Sequence, residues 1–364
     1  MSKTLKLGII GCGGIAVNKH LPALSKITTA ELAAFCDVFQ GSAQKAADQY
    51  GAPGSAVYTD YRELLADPSI DVVHVCTSND NHAELSIAAL RAGKHVMCEK
   101  PMARTAAEAA QMLEVARQTG KKLTIGYNNR FRADSQQLFT ICRNGSLGDI
   151  YFAKAHAVRR RGVPARGVFL DKEKQGGGPL IDIGTHALDL TLWLMDNYKP
   201  RMVVGTAYHR LSQMEETARS GGWDPSLFTV EDSAFGMIVM ENGATVMLES
   251  SWALNIRQEG AAKVTLCGSK GGADMWDGLW INGESEGRLY DQHIHLDGAG
   301  TPFSQVRSKA IELEMKLWID SILSDREPAV KPEQALVVSQ ILEAVYESAE
   351  TGKAVYFNEG ERMG

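Results

Sequence analysis

The chain is predicted to form two domains, an α/β domain over residues 1–126 and an α+β domain over residues 127–364. Three patterns carry this expectation. Apolar runs alternate with helical patterns through roughly the first 125 residues, as in a parallel sheet covered on both faces. A glycine-rich turn ends the first of these runs. Beyond Phe131 strand patterns succeed one another, and Glu241-Asn242-Gly243 between two of them signals a hairpin, so the second sheet is expected to be largely antiparallel.

Taken in order, the first domain offers strands at Leu5–Gly11, Glu31–Asp37, Asp71–Thr77, Lys94–Glu99 and Lys122–Gly126. Helical patterns fall between them near Ile15–Lys26, Ser42–Tyr50, Tyr61–Ala66, His82–Ala92 and Ala106–Thr119, with Gly51, Gly93 and Gly120 where helix C-caps are expected. The second domain reads as helix Ala133–Arg143, strand Asp149–Arg159, a basic glycine-rich loop over Arg160–Pro179, and helix Leu180–Met195. Strand patterns follow at Met202–Leu211, Asp232–Met240, Thr245–Ala253 and Ala262–Cys267, and helices near Gln305–Leu323 and Pro332–Glu350 close the chain.

Composition bounds the function. A length of 364 residues is enough for two sizeable cores, and 44% apolar with 23% charged residues is ordinary for a soluble globular chain. A formal net charge of −6 argues against general nucleic-acid affinity. No run of about 18 apolar residues occurs, so no membrane span is expected. Met1-Ser2-Lys3 leads straight into strand-like residues, with no signal-peptide pattern. Six cysteines show no C-x-x-C pairing and several fall in strand-like runs, which fits a reduced, cytoplasmic compartment.

Gly11-Cys12-Gly13-Gly14-Ile15-Ala16 is G-x-G-x-x-A between a strand and a helix, the fingerprint of an α/β Rossmann domain. Gly11 permits the tight turn, Gly13 lets a pyrophosphate approach the backbone, and Ala16 allows close packing of helix on strand. Gly14 and Ile15 open the helix, whose free N–H groups and dipole favour phosphate. Asp37 ends the second strand, where an acid binds the ribose hydroxyls; it would repel the 2′-phosphate of NADP, and its neighbours Val38, Phe39 and Gln40 include no arginine, so NAD is preferred. Asp37 could also be a helix N-cap or a loop residue. Thr77, Asn79 and His82 follow the strand Asp71–Thr77 and are candidates to line the nicotinamide ribose, with Asn79 or Asp80 as N-cap the alternative.

Chemistry beside a bound dinucleotide needs a base to take a proton and a positive group to favour developing negative charge. Val96-Met97-Cys98-Glu99-Lys100-Pro101 reads as a buried parallel strand that delivers Lys100 to its carboxyl end, where ligands of such sheets bind. Asp182 and His186 stand four apart on a predicted helix and so share a face. An imidazole ordinarily titrates near ~6.5 and makes His186 the natural base, while spacing alone leaves Lys100 open for that role. Asp182 would hold substrate hydroxyls or position the other two. Asp189 could orient His186 or simply contact a neighbouring segment, and a metal reading of Asp182, His186 and Asp189 is disfavoured because no further ligand clusters nearby. Glu99 is a candidate for the nicotinamide pocket or an ion pair. Asn128, Asn129 and Arg130 begin the second domain, with Asn128 assigned to the cofactor, Asn129 to the substrate, and Arg130 to either the cleft or a brace. Arg159 and the loop after it are a candidate substrate rim whose glycines permit movement, against a solvated charge run or a subunit contact. Trp276 and Trp280 are read as packing in preference to a sugar platform.

With these motifs in order, the chain resembles the glucose–fructose oxidoreductase / inositol dehydrogenase (Gfo/Idh/MocA) family over nearly its whole length. The matching stretches are Gly11–Ala16, the Asn79…His82 turn, Glu99-Lys100-Pro101, Gly126-Tyr127-Asn128-Asn129-Arg130-Phe131 and Gly176–His186. Ser78 stands where family members often carry proline. The resemblance implies a large, mostly antiparallel open sheet in the second domain, homo-oligomers built on its outer face, and hydride transfer between NAD(P) and a hydroxyl of a small-molecule sugar or cyclitol. It also implies the triad Lys100, Asp182 and His186. Arg161-Gly162-Val163-Pro164…Gly167-Val168-Phe169 looks like a sugar- or glycoside-oxidising branch, with ring C3 the expected position. The alternatives are an inositol or cyclitol dehydrogenase, a dehydrogenase that retains its cofactor and is re-oxidised in place by a second substrate, and a non-catalytic dinucleotide-binding regulator. Retention of the three reactive residues speaks against the last.

Overall fold

Two sheets organise the computed structural model, which describes residues 3–164, 167–212, 214, 225–296 and 303–357. By its contacts the chain divides into one unit of residues 1–131 with 302–336 and a second of residues 132–301 with 337–364. A boundary at residue 126 places the whole C-terminal region in the second domain; by contacts the described residues 303–336 group with the first unit.

In the first unit, β1 (Leu5–Ile10), β2 (Ala30–Cys36), β3 (Ala56–Tyr58), β4 (Val72–Val75), β5 (His95–Cys98) and β6 (Leu123–Ile125) form a parallel sheet in the order β3-β2-β1-β4-β5-β6. All residues of β4 are buried, as a strand covered on both faces must be. The helices are α1 (Leu21–Leu24), which continues a π-helical turn over Ala16–His20, then α2 (Gln40–Tyr50), α3 (Tyr61–Ala66), α4 (His82–Arg91) and α5 (Ala106–Thr119). Local chemistry sets their ends: the Thr105 hydroxyl accepts the Glu108 N–H at 3.1 Å to start α5, and left-handed Gly120 stops it. Gly51 ends α2 in an extended conformation, not a left-handed one. Strand order reverses on either side of β1, which opens a crevice at the carboxyl ends of β1 and β4.

In the second unit, α6 (Ala133–Arg143), β7 (Ile150–Val158), α7 (Lys172–Gln175) and α8 (Thr185–Met195) precede the remaining strands. These are β8 (Pro200–Tyr208), β9 (Ser233–Met240), β10 (Thr245–Ser251), β11 (Gly260–Gly268), β12 (Gly271–Asp274), β13 (Leu279–Ser285), β14 (Arg288–Ile294) and β15 (Val355–Tyr356). Their order is β14-β13-β12-β11-β7-β10-β9-β8-β15, antiparallel throughout the described pairs except β7 with β10. Burial alternates along β9 and β10, the mark of a sheet packed on one face. Ala234, Ile238, Val246 and Leu248 are buried, while Phe235, Met237, Val239 and Met247 are half-exposed on the opposite face.

Two long helices, α9 (Phe303–Leu323) and α10 (Pro332–Thr351), end the fold. Ile311, Met315, Trp318 and Ile319 of α9 enter the same core as Leu5, Leu7, Ile9 and Phe35 of the parallel sheet. Fully burying one such side chain contributes about 1.5–3 kcal/mol against a net stability of ~5–15 kcal/mol. This helix is therefore an integral wall of the first unit.

Candidate active site

The glycine turn is shaped by its neighbours. Gly11 has φ +89°, and a Cβ there would stand 2.8 Å from the carbonyl of Cys76 at the end of β4. No other residue fits that approach. At Gly13 a Cβ would meet nothing within 4 Å, so the backbone itself is open to a ligand. The Asp37 carboxylate at the end of β2 accepts the Cys12 N–H at 2.8 Å and the Phe39 N–H at 2.9 Å, which fixes its charge beside the turn.

These groups line a cleft of about 720 Å³ at the carboxyl edge of the parallel sheet. Its walls suit NAD. Gly11 and Gly13 give backbone access for a pyrophosphate, Asp37 gives an acceptor for ribose hydroxyls, and the exposed side chains of Val38 and Phe39 give an apolar seat for adenine. Of the residues expected at the cofactor, Gly11, Gly13, Asp37 and Thr77 line this cleft. Gly14 and Ile15 are exposed at the start of the following turn, outside its lining, and Asn79 and Asn128 are half-buried outside it. Ser78 has φ −70° and ψ 155°, the backbone proline would impose, so the turn keeps its shape without proline. Thr59 to Arg62 also line the cleft and were missed, because the three-residue β3 before them is too short to show a pattern.

His82 and Glu99 face inward. The His82 ring is fully buried, with Nδ1 2.7 Å from the Pro101 carbonyl and Nε2 3.3 Å from that of Thr77, so it ties the turn after β4 to the segment after Lys100. Burial pushes its pKa down and keeps the ring neutral. Glu99 Oε1 receives Lys19 Nζ at 2.6 Å and His20 Nε2 at 2.8 Å, and Oε2 accepts the Lys100 N–H at 3.2 Å. The His20 Nδ1 stands 2.9 Å from His74 Nδ1, and Glu314 of α9 lies 3.4 Å from Lys19 Nζ. Burial opposes ionisation of Glu99, yet the Lys19 ammonium and the His20 ring outweigh it and hold the carboxyl well below its usual range. Burial likewise opposes the Lys19 charge and is outweighed by Glu314 and Glu99, while burial keeps His20 and His74 neutral. Glu99 is thus an ion-pair partner beneath a half-buried Lys100, which is joined to Pro101 by a cis peptide bond. Arg130 is buried and donates to Gln334 Oε1 at 2.7 Å, a brace within the first unit; Asn129 beside it is half-buried.

In the second unit a π-helical turn over Leu180–Gly184 runs into α8. Among the described residues Leu180 to Leu194, Asp182 and His186 are the two that are not buried. The indole N–H of fully buried Trp252 donates to Asp182 Oδ2 at 3.0 Å. The turn is held from below by buried Glu231, whose carboxylate accepts the N–H groups of Gly178 at 2.9 Å and Leu180 at 3.1 Å and the Tyr346 hydroxyl at 2.8 Å. A Cβ on Gly177 would fall 2.0 Å from the Tyr346 hydroxyl, and one on Gly178 2.2 Å from the Glu231 carbonyl. These two glycines are required for close packing. Asp189 is buried at 1% exposure.

Arg159 Nη1 donates to the Gly162 carbonyl at 3.0 Å and Arg161 to Asn255 Oδ1 at 2.6 Å, contacts that hold the start of the basic loop; Ala165 and Arg166 lie outside the described residues. Trp276 packs against His156 and Trp280 stacks on His293. Among the described residues no group of three or more His, Cys, Asp or Glu is placed to hold a metal ion, and no helix is long and apolar enough to cross a membrane.

Known proteins resemble this chain in sequence and fold. Residues 5–127 match the model for the NAD-binding Rossmann fold of an oxidoreductase family, and residues 142–357 match its C-terminal alpha/beta domain. D-glucoside 3-dehydrogenase of Escherichia coli K12 is 37% identical over 359 residues, 97% of this chain and 98% of that one. Inositol 2-dehydrogenase of Salmonella typhimurium LT2 is 32% identical over 241 residues, 65% of this chain and 67% of that one. The solved structure of levoglucosan dehydrogenase in complex with NADH has a TM-score of 0.82 at 21% identity, covering 98% of this chain and 100% of that one, a likeness of fold. Both halves are matched in sequence order, and the glycine turn and strand order that a dinucleotide fold demands are in place, so this chain is a member of the Gfo/Idh/MocA family of NAD-dependent oxidoreductases.

Proposed function

We propose that this oxidoreductase oxidises a secondary ring hydroxyl of a glucoside-type sugar, at C3, with NAD. The observation that carries the reading is the 37% identity to D-glucoside 3-dehydrogenase along nearly the full length of both chains. The likeness to inositol 2-dehydrogenase spans about two thirds.

Bound NAD supplies the hydride acceptor. Lys100 contributes an ammonium that favours the alkoxide as the C–H bond breaks. His186 takes the hydroxyl proton. Asp182 accepts a neighbouring hydroxyl, and the Trp252 indole on Oδ2 keeps that carboxylate from swinging away. Supporting these roles, Asp182 and His186 alone escape burial in an otherwise buried described segment, a cost to packing that chemistry would justify. Asn128 orients the cofactor, and Asn129 and Arg159 reach ring hydroxyls. The half-exposed Phe235, Met237, Val239 and Met247 support a homo-oligomer built on that sheet face. All six cysteines are free, which suits a reduced, cytoplasmic compartment.

Purified protein with NAD should be offered a panel of glucosides and inositols while absorbance of the reduced cofactor is followed. Glucosides are expected to be turned over at least about tenfold faster than inositols, since a site built for one ring's hydroxyls leaves buried polar groups unpaired on another. A 3-keto product by NMR completes the assignment. Faster turnover of an inositol overturns it.

A further inference from the structure

The cofactor cleft contains a cation that NAD does not require. Arg62 lines it with Asp60 and Tyr61. The three follow β3, whose last residue, Tyr58, accepts the Asp37 N–H on its carbonyl at 3.2 Å. The segment therefore leaves the sheet beside the carboxylate that marks the ribose end of the site. The Arg62 guanidinium lies 4.6 Å from the centre of the Tyr61 ring and 3.2 Å from Asp60 Oδ1. Asp60 also caps α3, accepting the Arg62 N–H at 2.9 Å. Its pair with Arg62 is 45–69% exposed, so its hold on the guanidinium is modest, a severalfold handicap for a competing anion. Glu84 lines the same wall, where its Oε1 receives the Tyr61 hydroxyl at 2.7 Å.

A 2′-phosphate entering here would meet the fixed charge of Asp37, with Asp60 and Glu84 close by, and a guanidinium already engaged. Arginine is the side chain best matched to phosphate, so its presence at the ribose end is a latent affinity for NADP held in check. We propose that Asp60 is a specificity-determining residue of the cofactor site: by occupying Arg62 it withholds that guanidinium from a 2′-phosphate, and together with Asp37 it selects NAD over NADP. The inference rests on the dinucleotide occupying this cleft and is independent of the sugar proposed above.

The test is titration of the full chain with NADH and NADPH, read by nucleotide fluorescence with no substrate present. Four proteins are compared with the unaltered chain: Asp37→Asn, Asp60→Asn, the double variant, and the double variant with Arg62→Gln. Asparagine still caps α3, so the fold is kept. Asp37→Asn should improve NADPH affinity relative to NADH by about tenfold, and Asp60→Asn should add a further severalfold that fades at high salt. Arg62→Gln should cancel the second gain in NADPH affinity relative to NADH. The proposal is overturned if Asp60→Asn moves NADH and NADPH affinity by the same factor or moves neither. It is equally overturned if Arg62→Gln leaves NADPH affinity in the double variant as it was.

Discussion

Two buried carboxylates, Glu99 in the first unit and Glu231 in the second, solve one problem in opposite ways. Each supports a residue proposed for the chemistry: Glu99 holds the backbone N–H of Lys100, and Glu231 caps the turn that carries Asp182. Glu99 is met by a full charge, the Lys19 ammonium at 2.6 Å. Glu231 is met by dipoles, two backbone N–H groups and a phenol. Their acidities part accordingly. Despite burial, Glu99 is held well below its usual range by Lys19 and His20, whereas burial pushes Glu231 up and the dipoles restrain it only in part. A buried carboxylate is therefore not one kind of object. With an ion beside it, it is a fixed charge; with dipoles alone beside it, burial keeps the upper hand and its pKa is raised.

Removing the cation should separate the two most. Lys19→Met keeps the stem's volume and leaves Glu99 and Glu314 buried without their ammonium, a loss of about 3–5 kcal/mol. Tyr346→Phe removes one dipole from Glu231 and should cost about 1–3 kcal/mol. Thermal unfolding of both variants checks the ranking, and equal drops in Tm would erase the contrast. A smaller effect on stability, but a sharper one on turnover, is expected of Trp252→Phe. Phenylalanine keeps most of the packing and loses the N–H on Asp182 Oδ2. Hydrogen bonds to charged groups are worth about 1.5–3 kcal/mol, so kcat should fall roughly ten- to a hundredfold while Tm moves by only a few degrees. If kcat and Tm fall in proportion, Trp252 is structural and the placement of Asp182 does not depend on it.

The two carboxylates also show how far the sequence could be read. The Rossmann half was legible because continuous apolar runs and G-x-G-x-x-A report local backbone needs: Gly11 is forced by φ +89° and the Cys76 carbonyl, and Asp37 stands where the second strand must end. Lys100, Asp182 and His186 were legible as residue types at the mouths of predicted elements. Their supports were not. Lys19 and Glu99 are 80 residues apart and Gly178 and Glu231 53 apart, and nothing local marks such partners. For the same reason His82 was read toward the cofactor, although its ring bonds inward carbonyls, and Glu99 was left between the nicotinamide pocket and an ion pair, of which the Lys19 contact is the second. The strands β3 and β12 to β15 were also missed. β3, β12 and β15 are short, and β13 and β14 carry so many exposed polar residues that no alternation shows. The helix α9 was seen as a helix, but its assignment to the second domain followed chain order, and only the shared core of Trp318 with Leu7 and Phe35 places it with the first unit.

The finest test of the contrast is the response to pH. Glu99 has its folded pKa below the ordinary 4.5, so the stability it confers is complete above that value and is lost as pH falls through the lower, folded one. Glu231 has its folded pKa above 4.5, so the folded state binds the proton more readily than the unfolded one. Its contribution is therefore best in acid and declines as pH rises from 4.5 through the folded value. Glu231→Gln imposes a fixed, pH-independent loss of one acceptor. The gap in urea midpoint between the unaltered chain and Glu231→Gln should then widen as pH is lowered from neutrality toward 4.5, because only the carboxyl gains from the proton. Over the same range the contribution of Glu99 should hold nearly level. A gap that narrows toward acid would mean that the backbone N–H groups and Tyr346 match a cation in strength, and that charge and dipole are interchangeable supports in this fold.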